Sequence, residues 1–325
     1  MEELLCIVKP TSPFGTPLKG DTLFGQLCWE FAMDPSLIQG SLDSWIARYE
    51  EAPFLVVSSA FFPAPDGDWI LPVPSYPCFS QAQQRKQRVA EEKAVKKKTW
   101  FKANPHRSMN LSGISRLTDK EAAEALGNEV GLLFSSVRQS HNSINRLTGT
   151  TGKEMFAPYE TKSRLYQENV RLALRLSIDT DAVSPSSVSE ALRRIGMTGF
   201  GRDAGVGFGQ YEMLDMVPWT CPSWDGADAL YLLGPAVPEK EGWETMGATP
   251  FVRYGKHGNG LATSGNPFKA PVLMAAEGSL LKPMDEKHPE ASWVGSAVTG
   301  VSSVLKETVV QGYAHWLPVS TKEVP

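Results

Sequence analysis

The strict alternation over Val170–Ile178 constrains this chain more than any other stretch. Val170, Leu172, Leu174, Leu176 and Ile178 fall on one side, and Arg171, Ala173, Arg175 and Ser177 on the other. A period of two over this length predicts a β-strand with one buried and one exposed face. Two arginines on the exposed face fit an acidic ligand, or an ordinary solvated sheet surface. The next segments of the chain narrow the choice of fold. SPSSVSEALRRIG predicts a helix with Ser184 as its cap and Pro185 at the first position. Val188, Ala191, Leu192 and Ile195 form its apolar stripe, and Gly196 is the expected stop. A glycine-rich stretch, TGFGRDAGVGFGQYE (Thr198–Glu212), then leads into the strand YEMLDMV.

The opening of the chain has the same character. LLCIVKP predicts a strand, TSPFGTPLKG a loop, and DTLFGQLCWEFA a helix begun by Gly20 or Asp21. Leu23, Leu27 and Phe31 recur at helical spacing, with Phe24 and Cys28 beside them. Phe54–Phe62, FLVVSSAFF, predicts a second strand. Residues from about 63 to 147 read as an insertion with few strand signals. They hold the proline-bounded WILPVPSYP, the basic run Arg85–Lys102, and a Thr118/Glu121 capping box before a short helix. Beyond a linker at Met216–Gly226, ALYLLG, PFVRYG, APVLMAAEG and YAHWLPV predict strands and GVSSVLKETVV a helix.

The 325 residues suit two domains, here drawn as 1–217 and 218–325. No apolar run is long enough for a membrane span, and the N-terminus does not read as a signal peptide. A cytoplasmic protein with reduced thiols is the expectation, since the four cysteines form no CxxC pair. No metal site and no cofactor are expected. The net charge of −4 is unlike a protein that binds nucleic acid by bulk attraction, so any such role requires a local patch or a partner-held site.

The glycine stretch excludes several chemistries. Gly199, Gly201 and Ala204 can be fitted to G-x-G-x-x-A, but that fingerprint needs a strand before the loop and a helix after it. The order here is the reverse. A P-loop needs GK[ST] where this loop has GQY, and the chain has neither HRD nor DFG. GxSxG and HExxH are also missing, and the five histidines stand singly. His141 alone lies in a polar, charged neighbourhood suited to acid–base work; a lone histidine is more often structural. Binding by main chain remains. Glycines allow positive φ and close approach, successive N–H groups can nest phosphate oxygens, and Arg202 adds a planar donor. Phe200 and Phe208 fit either base stacking or the core.

Several segments together resemble one family. The helix followed by G-x-G-R-x-x-G-x-G-x-G (Gly199–Gly209) and a strand is similar to the glycine-rich loop of the RAMP proteins of CRISPR systems. GTPLKGDTLFGQLCW, SSAFFPAPDGDWILPVP and HNSINRLTGTTGKEMFAPYE (His141–Glu160) resemble segments of the type III-A subunit that caps the 5′ end of guide RNA, the fourth of the Csm complex. FVRYGKHGN, AAEGSLL and GYAHWLPV resemble its second-domain signatures. The resemblance implies an α+β chain of two ferredoxin-like (RRM-like) βαββαβ domains. It also implies a non-catalytic scaffold that grips the crRNA 5′ tag. Its partners would be the large polymerase/cyclase subunit and an adjacent RAMP backbone subunit. The chain has no HD pair and no GGDD motif. The RNA-binding residues expected are Lys19, Asp21, Thr22, Arg138, His141, Asn142, Asn145 and Arg146, with Gly199, Phe200, Gly201, Arg202, Gly205, Gly207, Phe208 and Gly209 of the loop. Simple helix capping is the plain alternative for Asp21 and Thr22. The run Arg85–Lys102 is either an arm along the guide or a solvated helix, given Glu91 and Glu92 within it. The alternative function is a RAMP-type endoribonuclease acting on repeat RNA, with His141 and Arg146 as its candidates.

Overall fold

The computed structural model describes residues 1–75, 97–152, 156–239, 242–284 and 289–321. The chain opens with β1 (Glu2–Pro10), α1 (Gly20–Met33), α2 (Leu42–Ala47) and β2 (Leu55–Val57). Five short strands come next, β3 (Phe62–Pro63), β4 (Trp69–Pro72), β5 (Trp100–Ala103), β6 (Met109–Asn110) and β7 (Arg116–Leu117), then α3 (Asp119–Ala125). A long hairpin, β8 (Phe134–His141) and β9 (Tyr159–Tyr166), precedes β10 (Leu172–Ile178), α4 (Pro185–Thr198) and β11 (Tyr211–Pro218). The remainder is β12 (Ala229–Leu232), β13 (Trp243–Gly247), β14 (Pro250–Arg253), β15 (Val272–Ala275), β16 (Leu280–Pro283), β17 (Trp293–Gly295) and β18 (Tyr313–Ser320).

The first sheet is antiparallel, in the order β11-β1-β10-β2. With α1 after β1 and α4 after β10, these elements make the βαββαβ arrangement of a ferredoxin-like sheet. Both helices pack on one face. Leu23, Leu27 and Phe31 of α1 and Val188, Leu192 and Ile195 of α4 close over Leu4, Cys6, Val8, Leu174 and Leu176. Each such side chain contributes roughly 1.5–3 kcal/mol by leaving water. The apolar stripes read from the sequence are therefore the core-facing ones.

The second sheet runs β13-β16-β12-β18-β17. Numbered in chain order among themselves, β13, β16, β12 and β18 run 2-3-1-4, the order of the first sheet read from its other end. The expected helices are not there: residues described beyond β11 contain no α-helix, and GVSSVLKETVV forms turns and bends. Three strands of this sheet, β13, β16 and β17, were not foreseen.

The second sheet covers the face of β10 expected to be exposed. Every residue of β10 is buried. Arg175 is fully buried, its Nη1 donating to the Trp316 carbonyl at 3.0 Å and its Nη2 to Glu3 Oε2 at 3.2 Å. Alternation was the right sign of a strand, but its polar side faces a second layer rather than solvent. The insertion is also more structured than expected. β3-β4-β5-β7 form a sheet, and Trp69, Leu71 and Phe101 share a core with Tyr231, Leu280 and Leu317. FLVVSSAFF is not one continuous strand: pairing with β10 is interrupted after Ser58, where Ser59 donates its N–H to Leu233 of the second half, and resumes at a Phe61–Ala173 bridge.

Candidate nucleic-acid interface

The glycine loop begins one turn later than Gly196 indicated. Gly196 lies inside α4, and Gly199 ends the helix with φ +99°. A Cβ on Gly196 would lie 2.3 Å from the Tyr211 carbonyl oxygen, so this glycine serves the close approach of α4 to β11. Most loop glycines have internal reasons of the same kind. A Cβ on Gly199 would meet Phe208 O at 2.3 Å, one on Gly209 would meet Phe200 O at 2.1 Å, and one on Gly201 would meet Thr16 Cβ at 2.7 Å. Gly207 stands at φ +91°. Gly205 differs: its φ is not positive and a Cβ there would meet nothing within 4 Å. Phe200 is fully buried in the core beside α4 and cannot stack on a base; Phe208 is half-buried.

Three segments distant in sequence meet at this loop. The first loop, Thr11–Lys19, lies along it: Gly209 donates to Pro13 O at 2.7 Å, Gln210 N to Ser12 Oγ at 2.8 Å, and Arg202 N to Thr16 Oγ1 at 3.1 Å. The β8–β9 hairpin docks on both. Phe14 and Arg164 exchange main-chain hydrogen bonds at 2.8 and 2.9 Å, and Arg202 Nη2 donates to the Lys162 carbonyl at 2.6 Å. Arg202 Nε also pairs with Asp203 at 3.1 Å. Arg202 therefore ties the loop to the hairpin while remaining exposed.

The hairpin register sets the charge on this surface. Arg138 stands opposite Lys162, and Arg164 lies two residues along on the same face. All three are exposed. Arg138 lies 3.9 Å from Glu160, and the Arg164 guanidinium sits 4.8 Å from the Phe134 ring centre. With Arg202 these side chains make a local cationic strip on an acidic chain. Lys162 and Arg164 were missed by the sequence reading; the alternation of YETKSRLY was their signal.

The other candidates fall in two places. His141 ends β8, with Nε2 2.9 Å from Thr161 Oγ1 and its ring stacked on Tyr159 at 5.1 Å. Asn142 and Arg146 are exposed in the loop beyond, where Asn145 Oδ1 accepts from Leu147 N at 2.9 Å. Among the described residues no hydrogen bond or ion pair joins His141 to Arg146. Lys19, Asp21 and Thr22 lie at the start of α1. Lys19, not Asp21 or Thr22, is the N-cap residue and makes no side-chain cap bond, while Ser59 Oγ accepts from Gly20 N at 3.4 Å. Thr22 is half-buried and donates its N–H to Lys19 O at 3.1 Å. Asp21 is buried and accepts from Arg253 Nε and Nη2 at 2.5 and 3.0 Å, and Lys19 pairs with Glu277 at 2.8 Å. Burial pushes the Asp21 carboxyl up, against the pull of Arg253 and Lys19. Asp21 is thus a tie between the two halves. Of the basic run, residues 85–96 lie outside the described residues, and Lys102 pairs with Asp66 and Asp68. Among the described residues no group of three or more metal-ligating side chains forms, and no helix is long and apolar enough to cross a membrane.

The fold is similar to that of chains solved in Csm subcomplexes of a type III-A CRISPR-Cas interference complex. A chain of a Csm3–Csm4 subcomplex from such a complex matches at TM-score 0.58 with 15% identity, covering 98% of this chain and 99% of that one. Chains of the Csm1–Csm4 cassette, in complex with pppApA and with cA4, match at 0.58 with 16% and 15% identity, covering 99% of this chain and 100% of theirs. At these identities the likeness is one of fold. No family model matches the sequence, and no curated protein matches it.

Proposed function

We propose that this chain is a non-catalytic scaffold subunit of a type III-A CRISPR effector that binds the 5′ tag of crRNA. The observation that carries this reading is the convergence of the first loop, the glycine loop and β9 beneath one cationic strip, Arg138, Lys162, Arg164 and Arg202. Exposed guanidinium and ammonium groups in a row suit a phosphate backbone. Gly205, a glycine with no internal cause, suits a main chain approached closely from outside. The subunits of like fold assemble with Csm3 and with Csm1, which supports a bridging role between a large subunit and backbone subunits. We read both halves as ferredoxin-like domains meeting near residue 217, the second without α-helices among its described residues. The test is purification of the tagged chain from cells carrying its effector system, with sequencing of the RNA retained. Short guides sharing one 5′ tag are expected. Arg202→Glu and Lys162→Glu should each lower retention about tenfold or more with the fold intact. Absence of guide RNA, or wild-type retention by both variants, would remove the reading.

A further inference from the structure

The β14–β15 hairpin has the composition of an interior element but is covered on one side only. Its inner side is anchored: Val272 and Met274 are buried against Val301 and Val310, and Arg253 reaches Asp21. Phe251 lies under Lys19 and Arg253 at 5.1 and 5.0 Å. The outer side is apolar as well. Val252 pairs with Leu273 across the two strands, Tyr254 follows two residues on, and Phe268 bridges to Lys256. Tyr254 is 77% exposed, Leu273 66% and Phe268 63%. An antiparallel sheet with one solvated side ordinarily alternates apolar with polar residues. Here the run Val272–Ala275, VLMA, is continuous. The run ALYL of β12 is continuous too, and there every residue is buried, divided between two cores. By the same pattern the hairpin calls for a second cover.

Charge narrows what fits this side. From Ala248 to Ala276 the chain holds no Asp or Glu, against Arg253, Lys256 and Lys269. Arg253 is spent on Asp21, while Lys256 is exposed, forms no ion pair among the described residues and stands 5.9 Å over the Phe268 ring. A second copy docked by the same side would set two acid-free surfaces together with their lysines unopposed. Residues 76–96 leave the described chain at Ser75, whose Oγ lies 2.8 Å from Thr249 Oγ1, but they carry five basic and two acidic residues and meet the same repulsion. We propose that the outer side of the β14–β15 hairpin docks a neighbouring protein subunit whose contact surface is apolar at its centre and acidic at its rim. Tyr254, Phe268 and Leu273 are the anchors, and Lys256 meets the acidic rim. The inner contacts fix the hairpin before binding, so little ordering is lost on contact. The inference rests on the reading of the chain as a subunit of an effector, not on its RNA contacts.

The test co-expresses the full-length tagged chain with the protein subunits and guide RNA of its effector system and purifies through the tag. Hydroxyl-radical oxidation of the assembly and of the chain alone then reads the side chains. Tyr254, Phe268 and Leu273 should be oxidised in the isolated chain and protected in the assembly. Leu273→Glu alters an exposed side chain and should keep the unfolding midpoint. It should weaken the hold on one protein subunit about thirtyfold or more, as loss of an interface anchor does, while guide RNA is retained. Lys256→Glu should slow association of that subunit about tenfold at low salt, a difference that moderate salt removes. Tyr254→Glu serves if Leu273→Glu does not fold. Wild-type subunit composition in folded Leu273→Glu and Tyr254→Glu overturns the docking side and leaves RNA binding standing. Loss of guide RNA with every protein subunit kept assigns the side to RNA and overturns the partner. Protection of Tyr254 and Leu273 in the isolated monomer means that the chain covers itself, and protection with a doubled mass means that a second copy does; either overturns the partner. A wild-type chain that holds no other subunit overturns both this inference and the scaffold reading.

Discussion

The loop glycines divide into those the fold requires and one it does not, and substitution should separate them. Gly209→Ala places a Cβ 2.1 Å from the Phe200 carbonyl oxygen at φ +71°. It should cost at least about 2 kcal/mol in urea unfolding, from left-handed strain plus displacement of the loop. Gly205→Ala meets nothing within 4 Å and should leave the unfolding midpoint unchanged. If the main chain there is approached by RNA, the same variant should weaken guide retention, and equal retention would return Gly205 to plain loop chemistry. His315 carries a pH dependence. It is fully buried, Nε2 2.8 Å from Ser177 Oγ, and burial and Arg175 hold it well below the usual histidine range. The unfolded chain takes up a proton near pH 6.5 that the folded chain refuses, so stability is full above that pH and falls below it. Between pH 7.5 and 5.5 the loss should reach about 1.4 kcal/mol. His257, also held low by burial and Lys269, adds in the same direction. Denaturant titrations of the wild-type chain and His315→Gln at both pH values check this: the variant's slope with pH should be the smaller.

At the scale of elements, the start of α1 and the β14–β15 hairpin form a clamp between the halves. Asp21 is buried against Arg253, and Lys19 bridges to Glu277. Arg253→Ala leaves the Asp21 carboxylate buried and unpaired and should destabilise the chain by about 3–5 kcal/mol. Asp21→Asn combined with Arg253→Ala should recover part of that loss in thermal or urea unfolding, because the stranded charge is gone. This clamp shows where the sequence stopped being readable. The apolar stripes of α1 and α4, the Thr118–Glu121 capping box and the strand at β10 were all legible, because each is set by neighbours within a few residues. Asp21 looked like a cap because Arg253 lies 232 residues away and no local pattern announces it. Arg175 looked exposed for the same reason: period two reports two faces, not what covers the second. Phe200 and Phe208 could not be told apart by residue type. Only the turn at Gly199 and Gly201 decides that Phe200 points into the core.

For the whole molecule, the proposed function asks how a chain of net charge −4 would hold a polyanion. The fold answers by placement. Segments far apart in the sequence bring Arg138, Lys162, Arg164 and Arg202 onto one exposed surface, where Arg138 and Arg202 also face Glu160 and Asp203, while the less exposed Lys19, Lys102 and Arg253 are spent on Glu277, Asp66 and Asp21. Binding should therefore depend on salt as a small, countable number of phosphate contacts rather than as a diffuse basic field. For single strands log Kobs falls with log salt at about −0.7 per contact, so four cations set a slope of roughly −2 to −3. Anisotropy titrations of a labelled single-stranded RNA octamer from low to moderate salt measure it, and Lys162→Gln should reduce its magnitude by about 0.7. A slope steeper than about −5 would require cations beyond this surface, with the run Arg85–Lys102 the first to examine. A slope near zero would mean that no phosphate is held here, and the cationic strip would then serve only to dock the hairpin on the glycine loop.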